Sequence, residues 1–425
     1  MSRTASARRA ALVLALCVAT ACSGARGPAP TATASAFPSA SAGGSAAEAR
    51  ERLCTRPEPL PPSTEPREGE VLPYMRDVMA AVEDLRGHAF LEPVVPEAIT
   101  RTDLDARIED GFAAMYPQEL YERRGLAWQT IGVIPRGVDL RAAYHEFYNV
   151  AVIGYYDTLT GELVFLGSDD PMPEERVTLA HELVHALDDQ WFDLSTIDRL
   201  LADCEEEAFQ AALAVVEGSA TYHMIRYADT ALTREERRTL GGGAPPPSVP
   251  QFLLAEMGWP YDAGRTWATW AVDAGRLDAA LRELPTTTEQ ILHPERADDA
   301  PTPLDVPDLA PALGAGWIDL DVQDAGESWI ASMLGLRVEW PTAEGAAAGW
   351  DGGLLRSWTD GDHVAVVLET AWDTPEDAAE FAEAMGRYPV DEAVTVVAVT
   401  GDPLRVRVLF ASDAATLEAL RTAAG

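Results

Sequence analysis

The chain has 425 residues, 47% hydrophobic content, 69 acidic side chains and 32 basic ones, and every basic residue is arginine. That is enough length for two or three domains and enough apolar content to bury a core. A net charge of −37 opposes binding to nucleic acid or to bare anionic membrane, so no nucleic-acid partner is expected.

The opening MSRTASARRAALVLALCVATAC joins a basic start (Arg3, Arg8, Arg9) to an apolar run too short to span a bilayer. Small residues then lead into Cys22, so residues 1–22 read as an export signal. Ala19-Thr20-Ala21-Cys22 has the form of a bacterial lipoprotein box, although the leucine usual three places before the cysteine is absent. The expectation is lipidation at Cys22 and a membrane partner through that N-terminal anchor. The alternative is a plain signal cut after Ala21. Residues 23–65, rich in Ala, Ser, Pro and Gly, read as a disordered tether that buries too little to fold. With Cys17 lost and Cys22 terminal, the body keeps Cys54 and Cys204: one disulfide, or two buried thiols.

The folded part is expected from residue 66. In EGEVLPYMRDVMAAVEDLRG the apolar positions Val71, Met75, Val78, Val82 and Leu85 recur at helical spacing up to Gly87. YNVAVIGYYDTLTGELVFLGS places two β-rich runs around Thr158-Leu159-Thr160-Gly161, a hairpin signal. Pro171, Pro173, Glu174 and Glu175 then open a helix, with acidic residues at its positive end. A second helix is expected from Asp203 to about Thr230, its Glu205, Glu206 and Glu207 forming a solvated start. Residues 251–295 are again helical in pattern, closing a catalytic domain over residues 66–298. From residue 315 to 425 the pattern is β-α-β-β-α, a separate small lobe.

The helix after the hairpin contains TLAHELVHAL. Residues four apart lie one turn apart on one face, so His181 and His185 can aim at a common point, and Glu182 can reach a water there. Those are the needs of a zinc hydrolase: neutral imidazoles, an open position and a carboxylate base. Uncharged neighbours surround the three, and a buried helix does not hold such groups without a shared partner. A third ligand must come from elsewhere. Asp188 and Trp191 stand where a metzincin needs glycine and histidine, which excludes that class. Asp188 and Asp189 would point past the metal. In AALAVVEGSATYHM, Glu217 is the carboxylate on an otherwise small or apolar helical face, and Gly218 beside it would allow close approach of another helix.

His181, Glu182, His185 and the later helical Glu217 resemble the gluzincin branch of zinc metallopeptidases. More closely, GYYDTLTGEL, HELVHALDDQWFDL, EGSAT, TTTEQILHPE, AAAGWDGG and AWDTPEDAAEF together are similar to a group of secreted, often lipid-anchored neutral zinc metallopeptidases of bacteria and haloarchaea, over roughly residues 70–415. The resemblance implies an α+β fold with a zincin-like core, in which the active-site helix lies beside a small sheet and is followed by a helical region. It also implies Zn2+ as cofactor, Glu182 as general base, and a peptide or protein as substrate, cleaved outside the cytoplasm at the cell envelope. Thr221 stands where many gluzincins place an aspartate that orients the first histidine, so a hydroxyl would serve there. Tyr155, Tyr156 and His293 are candidates for steadying the oxyanion, against the alternative that the tyrosines pack and the histidine caps a turn. The competing functional readings are a surface lipoprotein that keeps a metal site as a binding module, and a zinc hydrolase of a non-peptide bond.

Overall fold

The computed structural model describes residues 44–59, 69–241, 248–388, 394–398 and 402–424. The signal segment and Cys22 lie outside the described residues. The fold is mixed α+β, with two small sheets.

The first element corrects the expected tether. Helix α1 (Ala46–Leu53) is capped by Ser45, whose hydroxyl accepts from the Glu48 amide while the Glu48 carboxylate accepts from the Ser45 amide. Ala46, Ala49 and Leu53 are buried in one cluster with Val322, Leu354 and Trp358 from the far end of the chain. An alanine-rich stretch cannot form its own core, but a flat alanine face folds when a ready-made surface covers it. Helix α2 (Pro73–Arg86) stops at Gly87, as its spacing predicts; the residue has φ 77°, the left-handed conformation that glycine adopts freely.

Strand β1 (Glu97–Ile99) and helices α3 (Arg101–Met115), α4 (Gln118–Ile131) and α5 (Leu140–Ala151) precede the hairpin. Helix α5 takes in the start of the expected first β-run, so strand β2 begins only at Gly154 (Gly154–Asp157) and turns into β3 (Glu162–Leu166). Asp157 Oδ1 accepts from the Leu159 and Thr160 amides and shapes the turn. The sheet order β1-β3-β2 leaves β2 at an edge. Next come α6 (Pro173–Phe192), α7 (Thr196–Ala202) and α8 (Glu206–Ala231), followed by α9 (Glu236–Thr239), α10 (Gln251–Asp273), α11 (Leu277–Arg282) and α12 (Thr288–Leu292). Helix α8 packs between α6 and α10.

The C-terminal region is larger than β-α-β-β-α. After α13 (Ala310–Leu313) it runs β4 (Ile318–Asp324), α14 (Glu327–Gly335), α15 (Trp340–Ala347), β5 (Trp350–Thr359), β6 (Val364–Trp372), α16 (Pro375–Met385), β7 (Val394–Ala398), β8 (Arg405–Ala411) and α17 (Ala414–Ala424). The five strands pair antiparallel in the order β4-β5-β6-β8-β7. Strand β5 hides from a periodicity reading because it starts WDGG and is buried on both faces toward its end. Nor is the region separate. Leu120, Trp128 and Phe252 share one core with Val366 and Phe410; the Trp128 indole donates to Gln323 at 2.7 Å, and Arg124 Nε donates to Asp321 at 2.9 Å. A boundary between residues 298 and 315 therefore does not divide two cores.

Candidate metal centre

Helix α6 begins with Pro173 in its first turn, and Glu175 accepts from the Met172 amide at 2.9 Å. Its middle is fully enclosed: His181 and Glu182 are 0% exposed and His185 is 4%. Helix α8 brings Glu217, also 0% exposed, against them. That approach depends on two glycines. A Cβ at Gly218 would lie 2.3 Å from Gly264 O, and a Cβ at Gly264 would lie 2.1 Å from Ala214 O, so α8 and α10 touch backbone to backbone.

The donor atoms converge. His181 Nε2 and His185 Nε2 are 3.1 Å apart, and Glu217 Oε2 is 3.1 Å from the first and 3.5 Å from the second. The three residues form a buried group that could hold a metal ion. Donors bonded tetrahedrally at about 2.0 to 2.2 Å stand about 3.3 to 3.6 Å apart, close to this triangle. Glu217 Oε1 and His181 Nδ1 are buried without a hydrogen-bond partner, so the cluster is not satisfied by protein groups alone. Its electrostatics match: burial alone would raise the Glu217 carboxyl, yet His185 and His181 bring it below the usual range. Burial holds His181 down, as a neutral ligand requires, whereas for His185 the opposing burial is outweighed by Glu217.

Around the triangle, Asp188 is buried as expected away from the donor atoms. It accepts from Arg86 Nε at 2.6 Å and from the Ser219 hydroxyl at 2.7 Å, and Arg86 continues to Asp278 at 2.7 Å. Asp189 accepts from the Tyr156 hydroxyl at 2.8 Å and from the Leu194 amide at 2.8 Å. Strand β2 crosses over Glu182: a Cβ at Gly154 would sit 3.1 Å from its Oε1. The Tyr261 ring lies against His181, centroids 6.4 Å apart and tilted by 23°. Tyr148 lines the same cavity as His185 and Glu217; burial pushes its phenol up, and the Glu217 charge adds to the shift.

Of the oxyanion candidates, Tyr156 lines this cavity, while Tyr155 donates to Glu162 at 2.7 Å and His293 pairs with Glu327 at 2.9 Å. Thr221 is buried one turn beyond Glu217, but its hydroxyl makes no hydrogen bond, so it does not orient His181. Cys54 and Cys204 are joined, with Cα atoms 6.0 Å apart. The solvated start expected for α8 holds at Glu205, which is exposed, but not at the next two residues. Glu206 accepts from Arg124 at 2.8 Å, and Glu207 accepts from the Thr288 amide and hydroxyl at 2.6 and 2.8 Å, both carboxylates lining the cavity. Tyr148, Tyr261 and Gly154 carry no signal in sequence, because their approach to α6 depends on long-range packing.

A family model described as a domain of unknown function, DUF8575, matches residues 318–421, which is the five-stranded sheet with its helices. No curated protein and no solved structure matches the chain.

Proposed function

We propose that the chain is an extracytoplasmic zinc metallopeptidase with a zincin-like core. The observation that carries the reading is the buried triangle of His181 Nε2, His185 Nε2 and Glu217 Oε2, with Glu182 one residue beyond the first ligand. Two imidazoles and one carboxylate are a donor set that suits zinc and leaves a fourth position open. Zinc held there supplies Lewis acidity and makes water acidic enough to ionise near neutral pH. Glu182, enclosed beneath β2, accepts the proton of the attacking water and delivers it to the leaving amine, so the proton count balances over one peptide bond hydrolysed. Strand β2 stands at an edge of its sheet, the position at which an extended peptide can add as a further strand. Tyr156, in the cavity wall, can donate to the oxyanion only by giving up its hydrogen bond to Asp189.

Export is supported by the Cys54–Cys204 disulfide, which persists in oxidising compartments, together with the signal-like start and lipoprotein box at Cys22. No helix of the described residues is long and apolar enough to cross a membrane. An N-terminal lipid would hold the protein at the envelope.

The test is zinc quantification on purified protein coupled to cleavage of a mixed peptide pool, with and without chelator. Glu182→Gln should keep stoichiometric zinc and lose about 100-fold or more of the hydrolysis, whereas Glu217→Ala should lose zinc and hydrolysis together. Zinc without hydrolysis in the unaltered protein would favour the binding-module reading. Hydrolysis that survives in Glu182→Gln would remove the assigned base.

A further inference from the structure

The cavity that His185 and Glu217 face continues into the molecule, enclosing about 170 Å3 between α4, α5, α8, α10 and the start of the C-terminal sheet. Its walls are aromatic: Tyr116, Tyr121, Tyr144, Tyr148, Trp128 and Trp329. Its polar groups are unevenly balanced. The two arginines there are already committed, Arg124 to Asp321 and Glu206, and Arg56 to the Tyr121 hydroxyl at 2.7 Å and the Leu201 carbonyl at 3.0 Å. Glu207 and Glu256 in the lining form no ion pair among the described residues, nor does Asp198, which accepts from the Thr158 hydroxyl at 2.6 Å, and Glu207 has only the amide and hydroxyl of Thr288. Glu256 Oε1 is buried with no hydrogen-bond partner. The Ser332 hydroxyl is close enough to temper its charge but makes no hydrogen bond of normal geometry.

An uncompensated buried carboxylate is costly unless a cation meets it. Burial pushes the Glu256 carboxyl up to about 7 and that of Glu207 up to about 8, the response of groups that lack a counter-charge. Tyrosine and tryptophan faces attract cations and pack along the methylene stem of a long basic side chain. Distance along α10 fits as well. Glu256 precedes Tyr261, the residue against His181, by five positions, about 7.5 Å of helix rise. Glu256 lines the same cavity as His185 and Glu217, so a side chain long enough to span that rise can reach from one to the other within it. An apolar side chain would fill the aromatic walls but leave both carboxylates unpaired.

We infer that this cavity is a specificity pocket for a basic side chain, arginine or lysine, of the peptide substrate, with Glu256 at its acidic end. The inference rests on the metallopeptidase reading for the word substrate, but the pocket can be tested without hydrolysis.

The probes are Nα-acetyl-arginine amide and Nα-acetyl-citrulline amide, which share a shape and differ by the charge, titrated calorimetrically into the full zinc-loaded chain. The arginine compound should bind about tenfold tighter or more, and Glu256→Gln should bring that ratio below about threefold. Equal binding of the two compounds, or binding of neither, overturns the pocket. An unchanged ratio in Glu256→Gln overturns the role of Glu256. If that variant does not fold, Glu207→Gln takes its place beside the comparison of the two compounds on the unaltered protein, which decides alone. A peptide pool separates the two readings: cleavage with no preference for basic residues sinks the pocket and leaves the metallopeptidase standing, and arginine-selective binding with no peptide cleaved does the reverse.

Discussion

Replacing Gly218 by alanine tests whether the metal triangle depends on how closely α8 and α10 pack. The added Cβ would lie 2.3 Å from Gly264 O and 2.4 Å from Gly264 C, where ordinary contact begins at 3.4 Å. The obstacle is helix backbone, which cannot rotate aside, so the helices must separate by about 1 Å, a typical overpacking cost of about 1 to 3 kcal/mol. At about 2 cal/mol/K per residue, that is a fall of about 1 to 4 °C in Tm for a chain of this size. The metal should respond more strongly. Glu217 is the adjacent residue, and ligand distances tolerate only about 0.2 Å, so zinc affinity should fall about 10- to 100-fold. Chelator competition and calorimetry measure both quantities. Gly345→Ala is the control, an exposed glycine of α15 with nothing within 4 Å of its added Cβ, and it should be neutral or slightly stabilising. If Gly218→Ala melts like Gly345→Ala and keeps the unaltered zinc affinity, the close crossing does not set the position of Glu217.

Gly154→Ala places a methyl 3.1 Å from Glu182 Oε1, so it should lower kcat while leaving zinc content unchanged, as read by metal analysis beside peptide kinetics. Opening the Cys54–Cys204 bond by a serine at either position frees a loop of 150 residues and should cost about 2 to 4 kcal/mol in urea unfolding. The Glu207 carboxyl, held at about 8 by burial against an ordinary 4.5, binds its proton more tightly folded than unfolded. Its stabilising contribution is therefore complete below its ordinary value and lost as pH rises through about 8, so Glu207→Gln should flatten the decline in urea midpoint across that range.

What could be read in the sequence follows from how local each signal is. His181, Glu182 and His185 sit within one helical turn, and Glu217 stands out because a carboxylate on a face of alanine, valine and glycine has few other uses, so the buried triangle was legible. Helix α2 ended at its glycine and the hairpin turned at Gly161 because both stops need only the residues at the stop. Failures occurred where the deciding partner is distant. Alanines in α1 are disordered in composition and ordered by β4 and β5, nearly 300 positions away. Glu206 and Glu207 read as solvated because acidic runs usually are, and what buries them is Arg124 from α4 and Thr288 from α12. Strand β4 and its partner were missed for the same reason: each is covered on both faces, so the alternation that marks a half-exposed strand is absent.

The C-terminal sheet, the part that the family model matches, bears on the site through a short mechanical route. Gly326, just after β4, fits against Glu207 so tightly that a Cβ there would meet its carboxylate at 1.6 Å. The Ser328 amide donates to the Thr288 hydroxyl, which itself donates to Glu207, and Arg124 ties Asp321 of β4 to Glu206. These contacts fix the first turn of α8. Glu217 follows ten residues later on the same rigid helix, about 15 Å along it, after Ala214 has met Gly264. Helix α8 is thus held at its start by the sheet region and in its middle by α10, and the direction in which it delivers Glu217 is set by both. Trp329, Gln323 and Asp324 of the same region also line the cavity beyond His185. The sheet therefore stands as one wall of the cavity and as a brace for the helix that carries Glu217, which accounts for the single core that joins it to α4 and α10.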